Sequence, residues 1–586
     1  MNKKWKVAEK APKDFFEANK NINVSPIALQ LLYNRGIKTQ SQIEDFLRSD
    51  YEKDLRDPFL FKDMERAVKI IVQAILAKNK IVVHGDYDAD GVTSAAVIYE
   101  ALKLLGANVE VFLPHREEDG YGINLKTIEK FKKKNIDLII TVDCGISNVK
   151  EIELAKKYGM KVVVTDHHQV PPEIPMANAV IDPKVEGEVY PEKNLAGAGI
   201  AYKLACALLD YQKKNNDIEI DEKKLNEHGG HEGFKKWLLD LVAIGTVADI
   251  APLIGENRTL VKYGLIVLGK TRRPGLKELF NQSGVDPSKI DTQTIGFIIG
   301  PRLNAAGRLK HANIAFDLLT TSNESDAAHL ASLLASINTE RQQITDKMVG
   351  AARLQIIEQK EAKIYFAYNE SWTPGVVGLV AGKLTDELNL PTMVMTKVGE
   401  SIVGSGRSIT HYNITEALFE VKEFLSRFGG HSQACGFTIT SEEHLKVFQN
   451  KLCGHAASIL DGLDTSPTLE IDDSIPLDRA EEKLCQDIEL LEPFGEGNPK
   501  PKFLIEDMEL VNFDTVGADG KHLRLLVKNN SPVIKKMIGF GIASKFLDKL
   551  KIGDRIDAVV EISDSRWNGR FDLQMKIIDL RLVDKA

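Results

Sequence analysis

Residues 81–94 of the chain, IVVHGDYDADGVTS, place one histidine and three aspartates in seven positions directly after a short apolar run. Hard divalent cations such as Mn²⁺ and Mg²⁺ prefer carboxylate oxygens, and an imidazole shifts the preference toward Mn²⁺. Carboxylates packed this closely repel one another unless a cation compensates their charge. The segment alone leaves two interpretations open, a metal site or a solvated aspartate-rich turn that caps a helix.

The apolar run belongs to a repeating pattern of strand followed by helix. Short apolar runs occur at 81–84, 109–113, 138–142, 161–165 and 179–181, and helical sequence separates them. This alternation predicts a parallel, doubly wound sheet. Such sheets bind their ligands at the carboxyl ends of the strands, so residues that follow different runs are brought to one edge.

Three further polar points along the chain favour the metal site. Asp143 ends the run ITVD, and Asp166, His167 and His168 end the next run, VTDHH. Asp249 closes a later apolar stretch. Each of these residues alone has an alternative role as a helix cap, but four such points around one sheet edge predict a divalent-metal site. The ligands suffice for two ions that share a carboxylate, an arrangement that activates water and clamps a phosphoryl group.

These motifs resemble those of the DHH phosphoesterase superfamily. Within it, the chain resembles the RecJ family of single-strand-specific exonucleases from about residue 55 to the last residue. The resemblance implies a catalytic set of His168, Asp143 and Asp90, in which Asp143 bridges two ions and His168 faces the scissile phosphate. Asp86 and Asp166 would orient the ligands. The implied ligands of the ions, Mn²⁺ or Mg²⁺, are His84, Asp88, Asp90, Asp143, His167 and Asp249.

The predicted substrate contacts are arginines, polar side chains and glycines. Arginine holds phosphate through paired hydrogen bonds, tyrosine stacks on bases, and glycine lets the backbone approach a ligand closely. We predict an irregular loop at 300–308, and the resemblance places its arginines beside the substrate backbone. Ser405 and Arg407 lie in a glycine-rich stretch and would suit a terminal phosphate. The candidates are Arg116, Tyr121, Arg302, Asn304, Arg308, Ser405, Arg407, Gly429, Gly430 and His431.

The whole chain is predicted to be a multidomain α/β protein. Residues 322–359 contain no proline and one glycine, and their apolar residues recur at helical spacing, which predicts one helix of about 55 Å. The predicted domains are an N-terminal cap (1–55), a parallel-sheet DHH domain (56–320), a long connecting helix (321–361), a smaller α/β DHHA1 domain (362–465) and an all-β OB-fold domain (466–586).

The predicted OB-fold rests on a change of periodicity toward two after residue 465, in 523–527, 533–540, 555–562 and 571–582. OB-folds hold single strands in basic grooves with stacked aromatic residues. The alternative is an ordinary solvated face. The basic and aromatic candidates of this domain are Lys521, Arg524, Lys535, Lys536, Arg566, Trp567 and Arg570.

The composition sets the class of protein. Hydrophobic residues make up 43% of the chain and charged residues 27%, which is ordinary globular usage. No run of about 18 uncharged apolar residues occurs, and no signal peptide is recognisable, so we expect a cytoplasmic protein without membrane contact. Five widely spaced cysteines fit reduced thiols. The net charge of −8 is unexpected for a nucleic-acid binder, so any basic surface must be local.

The resemblance implies a 5′-to-3′ exonuclease that hydrolyses single-stranded DNA to 5′-mononucleotides by a two-metal mechanism, in recombination and repair. Its implied partners are single-stranded DNA, a single-strand-binding protein and a RecQ-type helicase. Two alternatives stay open. One is a DHH phosphodiesterase of short oligonucleotides or cyclic dinucleotides, whose relatives generally lack an OB-like module. The other is a non-catalytic single-strand-binding scaffold, against which the complete metal series speaks.

Overall fold

The computed structural model describes residues 3–517, 519–529, 532–564 and 572–583. Three of the basic and aromatic candidates, Arg566, Trp567 and Arg570, lie outside the described residues. The chain forms two units. The first unit comprises residues 1–54, 252–262 and 467–586, and the second comprises residues 55–251 and 263–466.

The N-terminal residues contribute one strand and four helices to the first unit. Ser25 caps the second helix by accepting a hydrogen bond from the N–H of Ala28, and Thr39 forms a capping box with Gln42 at the start of the third. The elements are β1 (Lys4–Val7), α1 (Lys13–Ala18), α2 (Pro26–Asn34), α3 (Gln40–Arg48) and α4 (Tyr51–Asp54).

The second unit begins with the predicted parallel sheet. Its elements are α5 (Met64–Leu76), β2 (Lys80–His84), α6 (Ala89–Leu104), β3 (Asn108–Phe112), α7 (Leu125–Lys133), β4 (Leu138–Val142), α8 (Val149–Lys157), β5 (Lys161–Thr165) and β6 (Ala179–Ile181). The strand order is β3-β2-β4-β5-β6, and all neighbours are parallel. Every residue of β4 is buried, as expected for an apolar strand covered on both faces.

Helices follow the sheet. They are α9 (Gly197–Asn215), α10 (Glu222–Glu227), α11 (Gly230–Trp237), α12 (Leu239–Ala248), α13 (Gly255–Leu268), α14 (Pro274–Ser283), α15 (Thr292–Thr294), α16 (Gly300–Leu309) and α17 (Asn313–Thr320). The segment Ile295–Ile299 between α15 and α16 is a π-helix.

The prediction of an irregular loop at 300–308 is wrong, because these residues form α16. Pro301 occupies the first turn, where its missing N–H costs no hydrogen bond, and alanines and a leucine that favour helix follow it. Gly307 does not break the helix. It leaves room for a neighbour, because a side chain there would collide with the carbonyl oxygen of Tyr87.

The long connecting helix is confirmed as α18 (Glu324–Ile357), a continuous helix of 34 residues. At 1.5 Å per residue it is about 51 Å long. Asn323 caps its N-terminus by accepting hydrogen bonds from the N–H groups of Ser325 and Asp326.

A second, mixed sheet follows α18. Its region contains β7 (Tyr365–Tyr368), α19 (Val377–Leu388), β8 (Thr392–Val398), β9 (Ser401–Arg407), α20 (Ile414–Phe419), β10 (Leu425–His431), β11 (Ala434–Ile439) and α21 (Leu445–Leu460). The order is β10-β11-β9-β8-β7, and only β7 and β8 are parallel. Strands β9 and β10 were not predicted, because glycines interrupt their alternating pattern.

The C-terminal part of the first unit is a closed barrel. Its elements are β12 (Thr468–Ile471), β13 (Asp473–Ser474), α22 (Glu482–Glu489), β14 (Lys502–Val516), β15 (His522–Lys528), β16 (Lys535–Gly539), α23 (Ala543–Phe546), β17 (Arg555–Asp564) and β18 (Leu573–Leu582). The order β13-β14-β15-β16-β18-β17 is closed by pairing of β14 with β17. The predicted OB-like module is thereby confirmed.

Within the first unit, the N-terminal residues and the barrel share one hydrophobic core. Leu31 and Leu32 of α2 and Phe503 and Ile505 of β14 are fully buried in it. Strand β1 also pairs in parallel with β12. The boundaries predicted for the five domains stay predictions.

Among the described helices, not one combines the length and the apolar character that crossing a membrane requires.

Candidate metal centre

Three residues of the predicted metal motifs lie at the carboxyl ends of three adjacent strands. His84 is the last residue of β2, Asp143 follows β4, and Asp166 follows β5. In the sheet, β4 lies between β2 and β5. The parallel order therefore brings residues separated by about eighty positions in the sequence to one edge, as predicted.

His167 lies among three carboxylates. Its Nε2 is 3.0 Å from Oδ1 of Asp143 and 3.9 Å from Oδ2 of Asp90. Its Nδ1 is 3.8 Å from Oδ2 of Asp249. The side chains of Asp143 and Asp90 are only 3% and 1% exposed, so water does little to screen them.

Three groups of side chains have ligand atoms within 4.8 Å of one another. Six of the seven residues in these groups are members of the predicted catalytic and ligand sets, and Asp86, predicted to orient ligands, is the seventh. His84 belongs to none of the groups among the described residues. The groups are Asp143, His167 and His168; Asp90, His167 and Asp249; and Asp86, Asp88 and Asp143.

The donor atoms fit a divalent cation. In the described part of the chain, His84 Nε2, Asp86 Oδ1, Asp143 Oδ1 and His167 Nε2 are buried and make no hydrogen bond. Leaving one such atom unsatisfied costs about 1–3 kcal/mol. Carboxylate oxygens and unprotonated imidazole nitrogens are the ligands that Mn²⁺ takes, and their clustering suits more than one ion.

The same clustering shifts the carboxylates toward their protonated forms. Burial, followed by the charge of Asp88, raises the pKa of Asp86 to about 8 and that of Asp90 to about 7. Burial, followed by the charge of Asp90, raises the pKa of Asp249 to about 8 and that of Asp143 well above its usual value. A bound cation would reverse these shifts by compensating the negative charge.

Helix ends hold two of the aspartates. Asp88 caps α6, and its Oδ1 accepts hydrogen bonds from the N–H groups of Asp90 and Gly91. The carboxylate of Asp90 accepts from the N–H of Gly197 at 2.7 Å and from that of Ala198 at 2.8 Å. The positive N-terminal ends of α6 and α9 thus compensate part of the negative charge of Asp88 and Asp90.

Asp166 orients the two histidines. Its Oδ1 accepts hydrogen bonds from the N–H of His167 and from that of His168, and lies 2.7 Å from Nδ1 of His168. Burial alone would lower the pKa of His168, but the hydrogen bond and the charge of Asp166 raise it to about 9. The Tyr121 hydroxyl lies 3.1 Å from the same Nδ1. The contact with Asp166 therefore favours the protonated form of the His168 imidazole.

Arg116 contacts α16 at Gly307, the residue that precedes Arg308. The Nε of Arg116 donates to the carbonyl oxygen of Gly307, and its guanidinium stacks on the ring of Tyr87 at 3.9 Å. Nη1 of Arg308 donates to the carbonyl oxygen of Gly375. Burial, followed by the charge of Arg116, lowers the pKa of Arg308 to about 9.

The remaining candidates from α16 have partners inside the protein. Oδ1 of Asn304 accepts from the N–H of Ala89, at the start of α6, so this residue supports the helix that carries Asp90. Nη1 of Arg302 donates to the carbonyl oxygen of Ile298, one turn earlier.

The second sheet contributes the other predicted contacts. Nη1 of Arg407 donates to Oγ of Ser405 at 2.9 Å, and both side chains lie beside Gly378 in the first turn of α19. Gly429, Gly430 and His431 are exposed on the edge strand β10. The charge of His168 acts on His431 and, with burial, lowers its pKa, which places this strand near the metal centre.

Two residues were missed by the sequence analysis. Arg341 in the middle of α18 has a buried Nε without a hydrogen-bond partner among the described residues, and its charge acts on Arg308. Nothing in a helical sequence distinguishes it from a surface arginine. Asp182 follows β6 and is fully buried, and its Oδ2 has no partner in the part of the chain that the structure describes. Its position after an apolar run is the same signal that identified Asp143.

Three segments match models of known protein families. Residues 80–246 match the DHH family, N-terminal domain, residues 361–457 match the DHHA1 domain, and residues 471–579 match the RecJ OB domain. The single-stranded-DNA-specific exonuclease RecJ of Bacillus subtilis (strain 168) is 36% identical over 580 residues, which are 98% of this chain and 70% of that protein. The chain belongs to the RecJ family.

Solved RecJ structures have the same fold. The crystal structure of RecJ from Thermus thermophilus in complex with Mn²⁺ matches with a TM-score of 0.82 and 28% identity, covering 100% of this chain and 80% of that one. The corresponding Mg²⁺ complex matches with a TM-score of 0.76 and 27% identity, covering 100% and 79%. The predicted family, fold class and metal-dependent phosphoesterase class are confirmed, and the oxygen and nitrogen donors found here agree with both metals of those RecJ structures.

Proposed function

We propose that this RecJ-family chain is a 5′-to-3′ exonuclease that hydrolyses single-stranded DNA to 5′-mononucleotides in DNA recombination and repair. The observation that carries the proposal is the convergence of carboxylates and His167 on one buried space, beside Arg308, on which the charges of three further arginines act. The first feature suits phosphoester hydrolysis and the second suits an anionic polymer.

The metal ligands we propose are His84, Asp88, Asp90, Asp143, His167 and Asp249. Asp143 belongs to two of the three ligand groups, which suits a bridging role between two ions. When bound, two divalent ions would activate water and neutralise the charge that develops on phosphorus. The chain supplies the fixed frame for this chemistry, because the helix ends and Asp166 hold the side chains in place.

His168 is the proposed contact to the scissile phosphate. Its raised pKa keeps it protonated at neutral pH, and a protonated imidazole can donate a hydrogen bond to a phosphate oxygen. Asp166 accepts from Nδ1, and Nε2, which lies 3.4 Å from the Tyr121 hydroxyl, is the nitrogen proposed to donate to substrate. The side chain is 34% exposed, whereas that of His167 is 12% exposed.

Arg116, Arg308, Arg341 and Arg407 are the proposed phosphate-binding residues. Burial and the charges of Arg116, Arg341 and Arg407 lower the pKa of Arg308, and the charge of Asp88 opposes them. A phosphate group would compensate these positive charges. Tyr121 is proposed to stack a base, and the exposed edge of β10 at Gly429, Gly430 and His431 is proposed to contact the backbone. Arg302, Asn304 and Ser405 complete the proposed set around α16 and β9.

A nuclease assay tests this function against its alternatives. Single strands labelled at the 5′ or 3′ end, duplex DNA and a dinucleotide would be incubated with Mn²⁺, Mg²⁺ or EDTA. We expect release of 5′-mononucleotides from single strands with either metal, starting at the 5′ end, and none with EDTA. Cleavage of the dinucleotide alone would indicate a short-oligonucleotide phosphodiesterase. Strand binding without cleavage would indicate a scaffold.

The cellular setting is also a proposal. An exonuclease that degrades single strands needs DNA that has been unwound. This requirement supports a helicase of the RecQ type and a single-strand-binding protein as partners. We propose the cytoplasm as the location, in agreement with the composition. Co-purification of both partners with the tagged chain from cells would test the association. If DNA alone bridges the proteins, nuclease treatment would abolish the co-purification.

A further inference from the structure

Arg273 joins two buried carboxylates that lie outside the metal centre. Its Nε donates to Oδ2 of Asp240 at 2.9 Å, and its two terminal nitrogens donate to the carboxylate of Glu100. The side chains of Arg273, Glu100 and Asp240 are 12%, 16% and 2% exposed. Burial alone would lower the pKa of Arg273, but Asp240 and Glu100 raise it, so the residue stays charged.

The two carboxylates occupy helices whose other ends reach the metal centre. Helix α6 carries Asp90 in its first turn and Glu100 ten residues later, a separation of about 15 Å along the axis. Helix α12 carries Asp240 in its first turn, and Asp249 caps its C-terminal end about 14 Å away. Because Asp90 and Asp249 meet at His167 while Glu100 and Asp240 meet at Arg273, the two helices run in opposite directions.

The helices touch closely beside the metal centre. A side chain at Gly245 of α12 would place its Cβ 2.6 Å from Oδ1 of Asp90 and 2.5 Å from Oγ1 of Thr93, both on α6. Any shift of α12 along α6 therefore moves Asp249 relative to Asp90. The hydrogen bonds from Gly197 and Ala198 hold Asp90 only from the side of α9.

The charges at the two ends act in opposite senses. At the metal centre, the carboxylates of Asp90 and Asp249 both lie within 4 Å of the His167 ring nitrogens, so two like charges from α6 and α12 repel one another there. At the far end, one guanidinium attracts a carboxylate from each helix. Arg273 also donates to the carbonyl oxygen of Leu319, near the end of α17, which anchors it to a third helix.

We propose that Arg273 is a positioning residue for the metal centre. By bridging Glu100 and Asp240 it sets the spacing and the axial register of α6 and α12, and thereby the separation of Asp90 and Asp249. The inference rests on the proposed metal centre and goes beyond it, because Arg273 contacts neither a ligand residue nor substrate. It predicts that metal affinity depends on an ion pair at the far ends of the two helices.

The test is a titration of the metal-free full chain with Mn²⁺ by calorimetry. Arg273→Lys keeps the positive charge but lacks the planar guanidinium that donates hydrogen bonds to both carboxylates. Glu100→Gln keeps the shape of the side chain but removes its negative charge, which weakens one side of the bridge. We expect each to raise the Kd for Mn²⁺ about tenfold, the lower end of what residues behind a ligand contribute.

Ile152→Ala is the matched control. Ile152 is buried in the layer of α7 and α8, on helices that carry no proposed ligand, so its truncation lowers the melting temperature of the same domain without touching the bridge. We expect its Kd for Mn²⁺ to equal that of the wild type. Equal Kd values for wild type, Arg273→Lys and Glu100→Gln, at melting temperatures lowered as in Ile152→Ala, would show that the bridge is only structural.

Chemical rescue provides a second, independent measurement. A cavity of about 180 Å³ is lined by Glu100, Asp240 and Arg273, so a small cation can reach the bridge from outside. We expect millimolar guanidinium to restore Mn²⁺ affinity to Arg273→Ala, and sodium at equal ionic strength to leave it unchanged. No rescue, with guanidinium shown to bind, overturns the inference. Failure of the wild type itself to bind Mn²⁺, or equal binding by Asp143→Ala, would instead overturn the proposed metal centre.

Discussion

Nε2 of His167 lies 3.0 Å from Oδ1 of Asp143, yet the two buried atoms share no hydrogen bond. Both lone pairs face the same space, which is the arrangement of two ligands around a cation rather than of a donor and an acceptor. We therefore expect Asp143→Ala to slow hydrolysis of single-stranded DNA by more than about 100-fold.

The fold of this variant should survive, as circular dichroism would show. Asp346→Ala is the control, because Asp346 is an exposed aspartate of α18 that pairs with Lys383, and it should keep the wild-type rate. A near-normal rate for Asp143→Ala would remove Asp143 from the centre.

Stabilisation by metal should grow with pH. Asp86, Asp90 and Asp249 have pKa values raised to about 8, 7 and 8, whereas an unfolded aspartate titrates near about 3.9. Between these values the folded chain binds more protons than the unfolded one, so the stability of the metal-free protein falls as pH rises from about 4 to about 8. Mn²⁺ replaces those protons and reverses the loss.

The measurement is the rise in melting temperature caused by Mn²⁺ at about pH 5.5 and about pH 8. We expect the larger rise at the higher pH. Equal rises at both values would contradict the assignment of Asp90 and Asp249 to the metal.

His168 should set the alkaline limit of activity. Asp166 raises its pKa to about 9, against the opposing effect of burial, so removal of the negative charge in Asp166→Asn lowers that pKa. The falling limb of the rate profile should then move to lower pH. His168→Gln, which cannot be protonated, should be slow at every pH. An unmoved limb in Asp166→Asn would exclude His168 as the titrating group.

The close backbone contact between Gly375 and Arg308 should leave no room for a side chain at position 375. In Gly375→Ala the new Cβ would collide with the carbonyl oxygen of Arg308, so we expect weaker DNA binding and a lower melting temperature. Gly350→Ala is the matched control. Gly350 lies in α18 with nothing within 4 Å of an added Cβ, and its replacement should stabilise the helix by about 0.5–1 kcal/mol.

Arg407 should contribute to substrate affinity more than to turnover. We expect Arg407→Ala to raise KM for a 5′-phosphorylated strand by about tenfold, since a good charge-assisted contact is worth about 1.5–3 kcal/mol. Arg353→Ala removes an exposed arginine that pairs with Glu387, and it should leave KM unchanged. If both variants have the same KM, Arg407 does not contact the phosphate.

The sequence could predict which polar residues share one sheet edge, because these residues follow apolar runs. The position of Asp143 and of His167 at one sheet edge requires only that the strands be parallel and adjacent. Asp182 carries the same signal and was overlooked. By contrast, the bridge of Glu100, Arg273 and Asp240 depends on how three helices pack, and no local pattern encodes it.

The prediction of α16 failed for a different reason. Glycines at 300 and 307 and Pro301 are typical of loops, but here the glycines allow close packing and the proline occupies a first turn. Strand β14 escaped prediction because it contains register shifts between Ile505 and Met508 and between Leu510 and Asn512. Each shift changes the face that later residues present, so alternation over the whole strand is lost.

Helix α18 separates Arg308 from Arg407 with 34 residues of unbroken backbone hydrogen bonding. One residue removed from it would turn everything downstream by about 100° and shorten the connection by about 1.5 Å. The exposed hairpin tip at Gly399, between β8 and β9, has open space around it, and its φ of +60° favours glycine at that one position. The number of residues between Arg308 and Arg407 is therefore fixed within the helix, whereas residues can be added at the hairpin. A label or a tag is best inserted at the hairpin.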